Sequence, residues 1–280
     1  MPDIAFAPPS LEVFYRDGQK GRLFCALHAP VNRPPLAACL YLHPFAEEMN
    51  KARRMAALQA RALAAAGWLV LQQDHFGCGD SEADFSAAAW DLWVADGVSG
   101  AEWLADHAGL PVWLWGLRAG CLLASAAAPS MADCPGMIFW QPVVSGRQHL
   151  QQFLRLKLAG DRLTGRDNGG DARRGPREAL LDGETVEVAG YSLSPQVAAG
   201  LDAARLSPPP GTGVVGWFEV SGAAEPTLSP VSRTATAEWQ AAGWQVDARP
   251  ITGSGFWQTQ EIETAPGLLA ATLAFAAESA

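Results

Sequence analysis

Gly116-Leu117-Arg118-Ala119-Gly120 closes the apolar run PVWLWG and opens the helix-like CLLASAAA, so an arginine stands on a turn between a strand and a helix. A guanidinium stays protonated at any ordinary pH and cannot act as a nucleophile; what it does well is bind carboxylates and phosphates. At a helix N-terminus the free N–H groups and the macrodipole already favour an anion. Arg118 repeats their sign, so it requires a carboxylate, the protein's own or a ligand's. Two adjacent carboxylates, Glu47 and Glu48, follow His43 in YLHPFAEEMNKARRM. His43 is the acid–base candidate by position. Cys78, in the glycine-rich FGCGD, becomes a candidate nucleophile if His43 or a helix dipole lowers its pKa. Cys121 reads as a small core residue, His28 as a satisfied polar residue of a strand, and Ser81 as a cap for the segment after it. No cluster has metal-ligand spacing, and the GxG fragments lack the context of a dinucleotide site, so neither a metal nor a cofactor is expected.

The elements that must position these groups follow from the hydrophobic pattern. LEVFYRD (11–17) and RLFCALHAP (22–30), separated by GQKG, read as a hairpin. LAACLYLHP (36–44), WLVLQQD (68–74), VWLWG and GMIFWQP (136–142) are continuous apolar runs suited to strands buried on both faces. Helices are predicted at about 51–66, ended by Gly67, at 86–107, and after Gly120. Strands and helices alternating at this spacing predict right-handed crossovers and a mainly parallel sheet. The alternation breaks over 146–210 and resumes with GVVGWFEV (213–220), a helix near 231–242, WQVDARPI (244–251) and a helix near 265–278. Residues 1–145 and 211–280 therefore read as one core, with 146–210 an insertion over the C-terminal edge of the sheet.

Three stretches carry a resemblance to the α/β-hydrolase superfamily that covers essentially the whole chain. YLHPFAEEMNKARRM resembles the oxyanion loop after the third strand, DHFGCGDS the loop after the fourth, and WGLRAG the G-x-S-x-G nucleophile elbow. With FWQPVVSG, GYSLSP and GFWQTQEI, they are similar to the exosortase A system-associated hydrolase 2 family, found beside exosortase and exopolysaccharide-biosynthesis genes in Gram-negative bacteria. The resemblance implies an α/β-hydrolase fold, a mainly parallel sheet flanked by helices with an inserted helical cap, and ester-type hydrolysis or acyl transfer. The chain departs from that pattern at the sites of chemistry. The elbow carries Arg118 in place of serine. The loop where the triad histidine belongs, TGSGFWQTQE (252–261), has none, and all five histidines precede residue 150. Of the acids near the penultimate strand, Glu219 lies within the strand pattern and Glu225 beyond it. A triad needs all its members within hydrogen-bond reach, which points to a degenerate site.

By topology the crevice at the strand ends should be lined by His43, Glu47, Glu48, Arg118, Gln141 and Gln258. Two arrangements are open: Arg118 closed in an ion pair with Glu47 or Glu48, or Arg118 binding the carboxylate or phosphate of a ligand. Two functions stay open with them, a hydrolase or acyl transferase using a non-triad site and a non-catalytic protein holding an anionic, acyl-linked or saccharide-linked small molecule. Residues 147–177 hold eight of the chain's 20 basic residues against three aspartates, a local charge of +5 on a chain of net charge -9. That asymmetry would steer anions toward the cap. The overall negative charge disfavours nucleic acid as a partner. There is no apolar run long enough for a membrane span and no signal-peptide pattern, and the five cysteines are unpaired by spacing; the expectation is a cytoplasmic protein with reduced thiols.

Overall fold

The computed structural model describes residues 9–163 and 175–279, without the side chains of 158–163. Among them, β1 (Ser10–Asp17) and β2 (Arg22–Ala29) form the expected antiparallel hairpin. β3 (Ala37–Leu42) is buried at every residue, as its unbroken apolar run demands. α1 spans Glu47–Ala66 and stops at Gly67, whose left-handed conformation returns its N–H to the carbonyls of Leu63 and Ala64. The helix begins four residues before its expected start. Glu47 and Glu48 form its first turn, where carboxylates offset the positive end of the helix dipole, so the presumed loop is helix.

β4 (Trp68–Gln73) follows, then α2 (Trp90–Ala108), β5 (Val112–Leu117), α3 (Ala119–Ala127) and β6 (Gly136–Trp140). The helix expected over 86–107 is shorter at its start, where Phe85–Ala87 makes a separate turn. Beyond β6 lies the interrupting segment: α4 (Gly146–Leu163), α5 (Pro176–Leu181), a hairpin of β7 (Val186–Val188) with β8 (Tyr191–Leu193), and α6 (Pro195–Ala203). The hairpin is an addition to the all-helical insertion expected. Its two-residue loop, Ala189–Gly190, has φ of 50° and 85°, the signature of a type I′ turn matched to strand twist. The chain then returns with β9 (Val214–Ser221), α7 (Pro230–Ala241), β10 (Gln245–Thr252) and α8 (Pro266–Ser279).

Strand order in the large sheet is β1-β2-β4-β3-β5-β6-β9-β10, parallel throughout from β4 to β10 and antiparallel at β1 and β2. This is the mainly parallel sheet that the alternation predicted. α1 and α8 cover one face, burying Trp68, Trp115, Trp140 and Phe218. α2, α3 and α7 cover the other with Leu114, Phe139, Trp217 and Trp239, and α4 and α6 join that layer. The parallel strands all end at one edge, and the segments after β3, β5, β6 and β10 converge there. None of the helices among the described residues is long and apolar enough to cross a membrane.

Candidate functional site

The turn after β5 is a sharp strand-to-helix reversal. Arg118 has φ 55° and ψ −118°, a region that L-residues rarely enter. Its neighbours explain why the turn needs two glycines. A Cβ on Gly116 would press into the backbone of Cys121, and one on Gly120 would collide with the carbonyl oxygen of Leu42 in β3. Backbone bonds hold the turn: Arg118 N–H donates to the Trp140 carbonyl (3.0 Å) and Cys121 N–H donates to the Arg118 carbonyl (3.1 Å).

The arginine meets its carboxylate. Arg118 Nε lies 3.0 Å from Glu48 Oε1, with both side chains mostly shielded from solvent at 17% and 12% exposure. Its guanidinium carbon also sits 5.7 Å from the ring centroid of Trp257. Trp257 comes from the loop after β10, the segment in which a triad histidine was sought and is missing. The sign argument from sequence thus finds its pair in the first turn of α1.

Behind this pair stands a residue that sequence reasoning passed over. His149, on α4, places Nε2 3.9 Å from Glu48 Oε2, and neither of its ring nitrogens has a hydrogen-bond partner. Glu47 Oε2 and Glu48 Oε2 are likewise buried without a partner. Burial pushes the Glu48 carboxyl up to about 7, with Arg118 pulling it back, while burial and then the charge of Arg118 hold His149 down to about 3. His149 is neutral near pH 7, and Glu48 is near the midpoint of its titration. The signal for His149 was present in the pattern of α4: His149, Leu150, Phe153 and Leu154 form its buried face, so a helical register puts this histidine on the apolar stripe.

Two cavities of about 290 Å³ each open on either side of Arg118, His149 and Gln152, which line both. One is walled by Phe45, Phe153 and Trp257, with Glu47, Glu48, Lys51 and Gln258. The other is polar, with Gln141, Gln148, Ser145, Glu219, Ser229 and Ser232. Gln141, itself at φ 43°, accepts a hydrogen bond from Val220 N–H through Oε1 (2.6 Å), so its amide ties β6 to β9 as well as lining the cleft. Glu219, the acid at the penultimate strand, accepts from Ser229 N–H at 2.9 Å, whereas Glu225 is exposed.

Of the six residues expected to share the crevice, five line these cavities, and His43 does not. Both nitrogens of His43 are already used: Nε2 accepts from His75 N–H (2.9 Å), which leaves the proton on Nδ1, donated to the Pro44 carbonyl (2.8 Å). Burial lowers its pKa, and its ring lies against His75 with centroids 3.8 Å apart. His43 shapes the loop after β3 and has no nitrogen left to move a substrate's proton. It lines a separate, largely apolar cavity beside β1, β2 and α1.

Cys78 is corrected in the same way. It is buried outside both cavities, and burial, reinforced by Asp74, drives its thiol up, opposite to what a nucleophile needs. Burial also raises Cys121, in keeping with its core role. Ser81 caps no helix; its hydroxyl donates to the Asp74 carbonyl (2.8 Å) and accepts from Phe24 N–H (2.9 Å), stapling the DHFGCGDS loop to β2. Arg53 completes that lock, 2.6 Å from Asp74. Within the basic stretch, Arg147 and Arg177 share Asp202, at 3.1 and 3.4 Å. Arg166, Arg173, Arg174 and the side chain of Arg162 lie outside the described residues. Among the described residues no cluster of three His, Cys, Asp or Glu could hold a metal ion.

Comparison with known proteins places these features in context. The serine aminopeptidase S33 family model matches residues 33–166. No curated protein matches the sequence. Among solved structures, Est1E from Butyrivibrio proteoclasticus with bound ferulic acid superposes with a TM-score of 0.63 at 14% identity, over 95% of this chain and 98% of that one. A thermostable carboxyl esterase from Bacillus coagulans reaches 0.64 at 11% identity, over 96% and 99%. A lipase in its open form reaches 0.64 at 16%, also over 96% and 99%.

Proposed function

We propose that this chain, whose fold is that of the α/β-hydrolases, is a degenerate member of that superfamily that holds a small molecule in the cleft around Arg118 instead of cleaving it with a Ser-His-acid triad. The ligand class proposed is anionic, acyl-linked or saccharide-linked. The setting is the exosortase- and exopolysaccharide-linked chemistry of the family its motifs resemble, and the location the cytoplasm. One observation carries the reading: the elbow position holds a guanidinium locked to Glu48 and resting on Trp257, and the loop after β10 brings tryptophan and glutamine there and no histidine. A serine esterase needs the reverse, a neutral nucleophile with a base beside it.

The test is turnover. The purified protein should hydrolyse short p-nitrophenyl esters no faster than an Arg118→Ala control. Turnover above about 1 per second, the lower end of ordinary enzymes, that disappears in a single-site variant would refute the binding reading.

A second reading has its own observation. Glu48 is a cleft carboxylate raised to about 7, the range suited to a general base, and it adjoins a guanidinium able to stabilise an oxyanion. On that reading Glu48 activates a water for ester hydrolysis, or an acceptor hydroxyl for acyl transfer. Activity would rise with pH through about 7 and vanish in Glu48→Gln, and a fluorophosphonate probe would label no serine.

A further inference from the structure

The cleft holds more hydrogen-bonding capacity than the protein uses, and the sign of that surplus is informative. Glu47 Oε2 and Glu48 Oε2 are acceptors without donors, and His149 has one nitrogen to accept and one to donate, both unpartnered; all four atoms are buried in the cleft walls, so a ligand reaches them as these side chains turn toward it. His149 is over nine-tenths buried and lines both cavities. A buried polar atom left unpaired costs about 1–3 kcal/mol, so the cleft favours a ligand that supplies donors.

Charge narrows the class. In the aromatic-walled cavity Arg118 and Lys51 face Glu47 and Glu48, two charges of each sign, and in the polar cavity Arg118 faces Glu219. Arg118 gives its Nε–H to Glu48 and the charges around it balance, so an added anion finds no net positive field and meets two carboxylates. A bare acyl chain would pack on Phe45 and Phe153 but leave every orphan acceptor dry. Hydroxyl groups answer all of them, because each donates to a carboxylate or imidazole and accepts from the amides of Gln148, Gln152 or Gln258. The aromatic walls suit the C–H face of a ring, and the two cavities, each about 290 Å³, sit side by side across shared residues.

We infer that the cleft takes a neutral, hydroxyl-rich ligand of two ring-sized units, a disaccharide or the end of a longer glycan, with Glu47, Glu48 and His149 receiving its hydroxyls. The inference rests on the binding reading above and sharpens it, since it sets aside both the anionic and the acyl class.

The experiment is titration of the full chain at about pH 8, where Glu48 is charged, with maltose, cellobiose, glucose, glucuronate and inorganic phosphate, followed by calorimetry and saturation-transfer NMR. A neutral disaccharide should bind at least about tenfold more tightly than glucose, and glucuronate and phosphate no more tightly than glucose. Glu47→Leu, in the first turn of α1, and Gln152→Leu, at an exposed position shared by both cavities, should each weaken the disaccharide by about tenfold or more. Tighter binding of phosphate or glucuronate overturns the hydroxyl class while leaving a binding protein. Equal binding of glucose and disaccharide, disaccharide binding indifferent to both substitutions, or no saturable saccharide binding at millimolar concentration overturns the inference itself. Ester turnover by a single-site mechanism is a separate result and strikes only the reading beneath it.

Discussion

Replacing Glu48 by glutamine changes one charge in the buried cluster and should change how stability depends on pH. The folded protein holds Glu48 protonated up to about 7, well above an ordinary carboxyl at 4.5, so between those values the native state carries a proton that the unfolded chain has released. That contribution is complete below about 4.5 and is lost as pH rises to about 7. His149 acts in the opposite direction. Folding lowers it from 6.5 to about 3, so its contribution is present above 6.5 and is lost as pH falls toward 3. Each proton is worth about 1.4 kcal/mol per pH unit. From about 4.5 to 6.5 the two slopes oppose and nearly cancel in the native protein. In Glu48→Gln only the histidine slope remains. The variant should therefore lose about 3 kcal/mol more, relative to the unsubstituted protein, at pH 4.5 than at pH 6.5. Urea denaturation of both proteins at the two pH values measures this difference, and any pH-independent cost of the amide drops out. His149→Gln should give the opposite sign over the same window. A stability difference between Glu48→Gln and the parent that does not change with pH would refute the buried, proton-holding carboxyl on which the site is built.

Arg118→Ser should gain no activity toward p-nitrophenyl acetate, because the loop after β10 supplies no histidine and burial holds His149 down to about 3, too weak a base to activate a serine. Its stability loss should grow as pH rises above about 7, toward about 3 kcal/mol where Glu48 is finally charged and unpaired, and shrink below pH 7, where that carboxyl holds a proton with or without Arg118; a loss that does not change with pH contradicts the pair. Iodoacetamide near neutral pH should leave Cys78 and Cys121 unmodified in the native protein, as peptide mapping would register, and selective labelling of Cys78 would restore it as a nucleophile. Ser81→Ala should cost about 1–3 kcal/mol by chemical denaturation, since it frees the Phe24 N–H and the Asp74 carbonyl at once, and a loss within about 0.5 kcal/mol would show that the staple carries little.

Much of the fold was legible because buried parallel strands read as unbroken apolar runs and the connecting helices have room between them. The elbow was legible for a steric reason: Gly116 and Gly120 stand where β3 and α3 leave no space for a Cβ, and that demand does not depend on the residue between them. Charge balance then pointed from Arg118 to Glu47 and Glu48. It could not choose between them, because which carboxylate faces the turn depends on where α1 begins, and two acidic residues after Ala46 suit a loop as well as a first helical turn. His43 was misplaced because its partners, the Pro44 carbonyl and the His75 N–H, are backbone groups with no signature in sequence. His149 was missed because the insertion has no motif, and its distance from Glu48 is set by how α4 packs over the sheet edge. The β7–β8 hairpin hid for a similar reason: Ala189–Gly190 is a weaker turn signal than Asn-Gly.

The positive-φ conformation of Arg118 has a consequence for which side chains the turn can carry. The turn is held by two glycines, by the carbonyl of Trp140 and by the first amides of α3, and none of these involves the arginine side chain. What stands on the turn is thus exchangeable without rebuilding the backbone. The charge left behind by an exchange is absorbed locally, because Glu48 takes up a proton close to neutrality. A serine at 118 would stand on an unchanged backbone, while the histidine and the acid of a triad would still have to be brought to it.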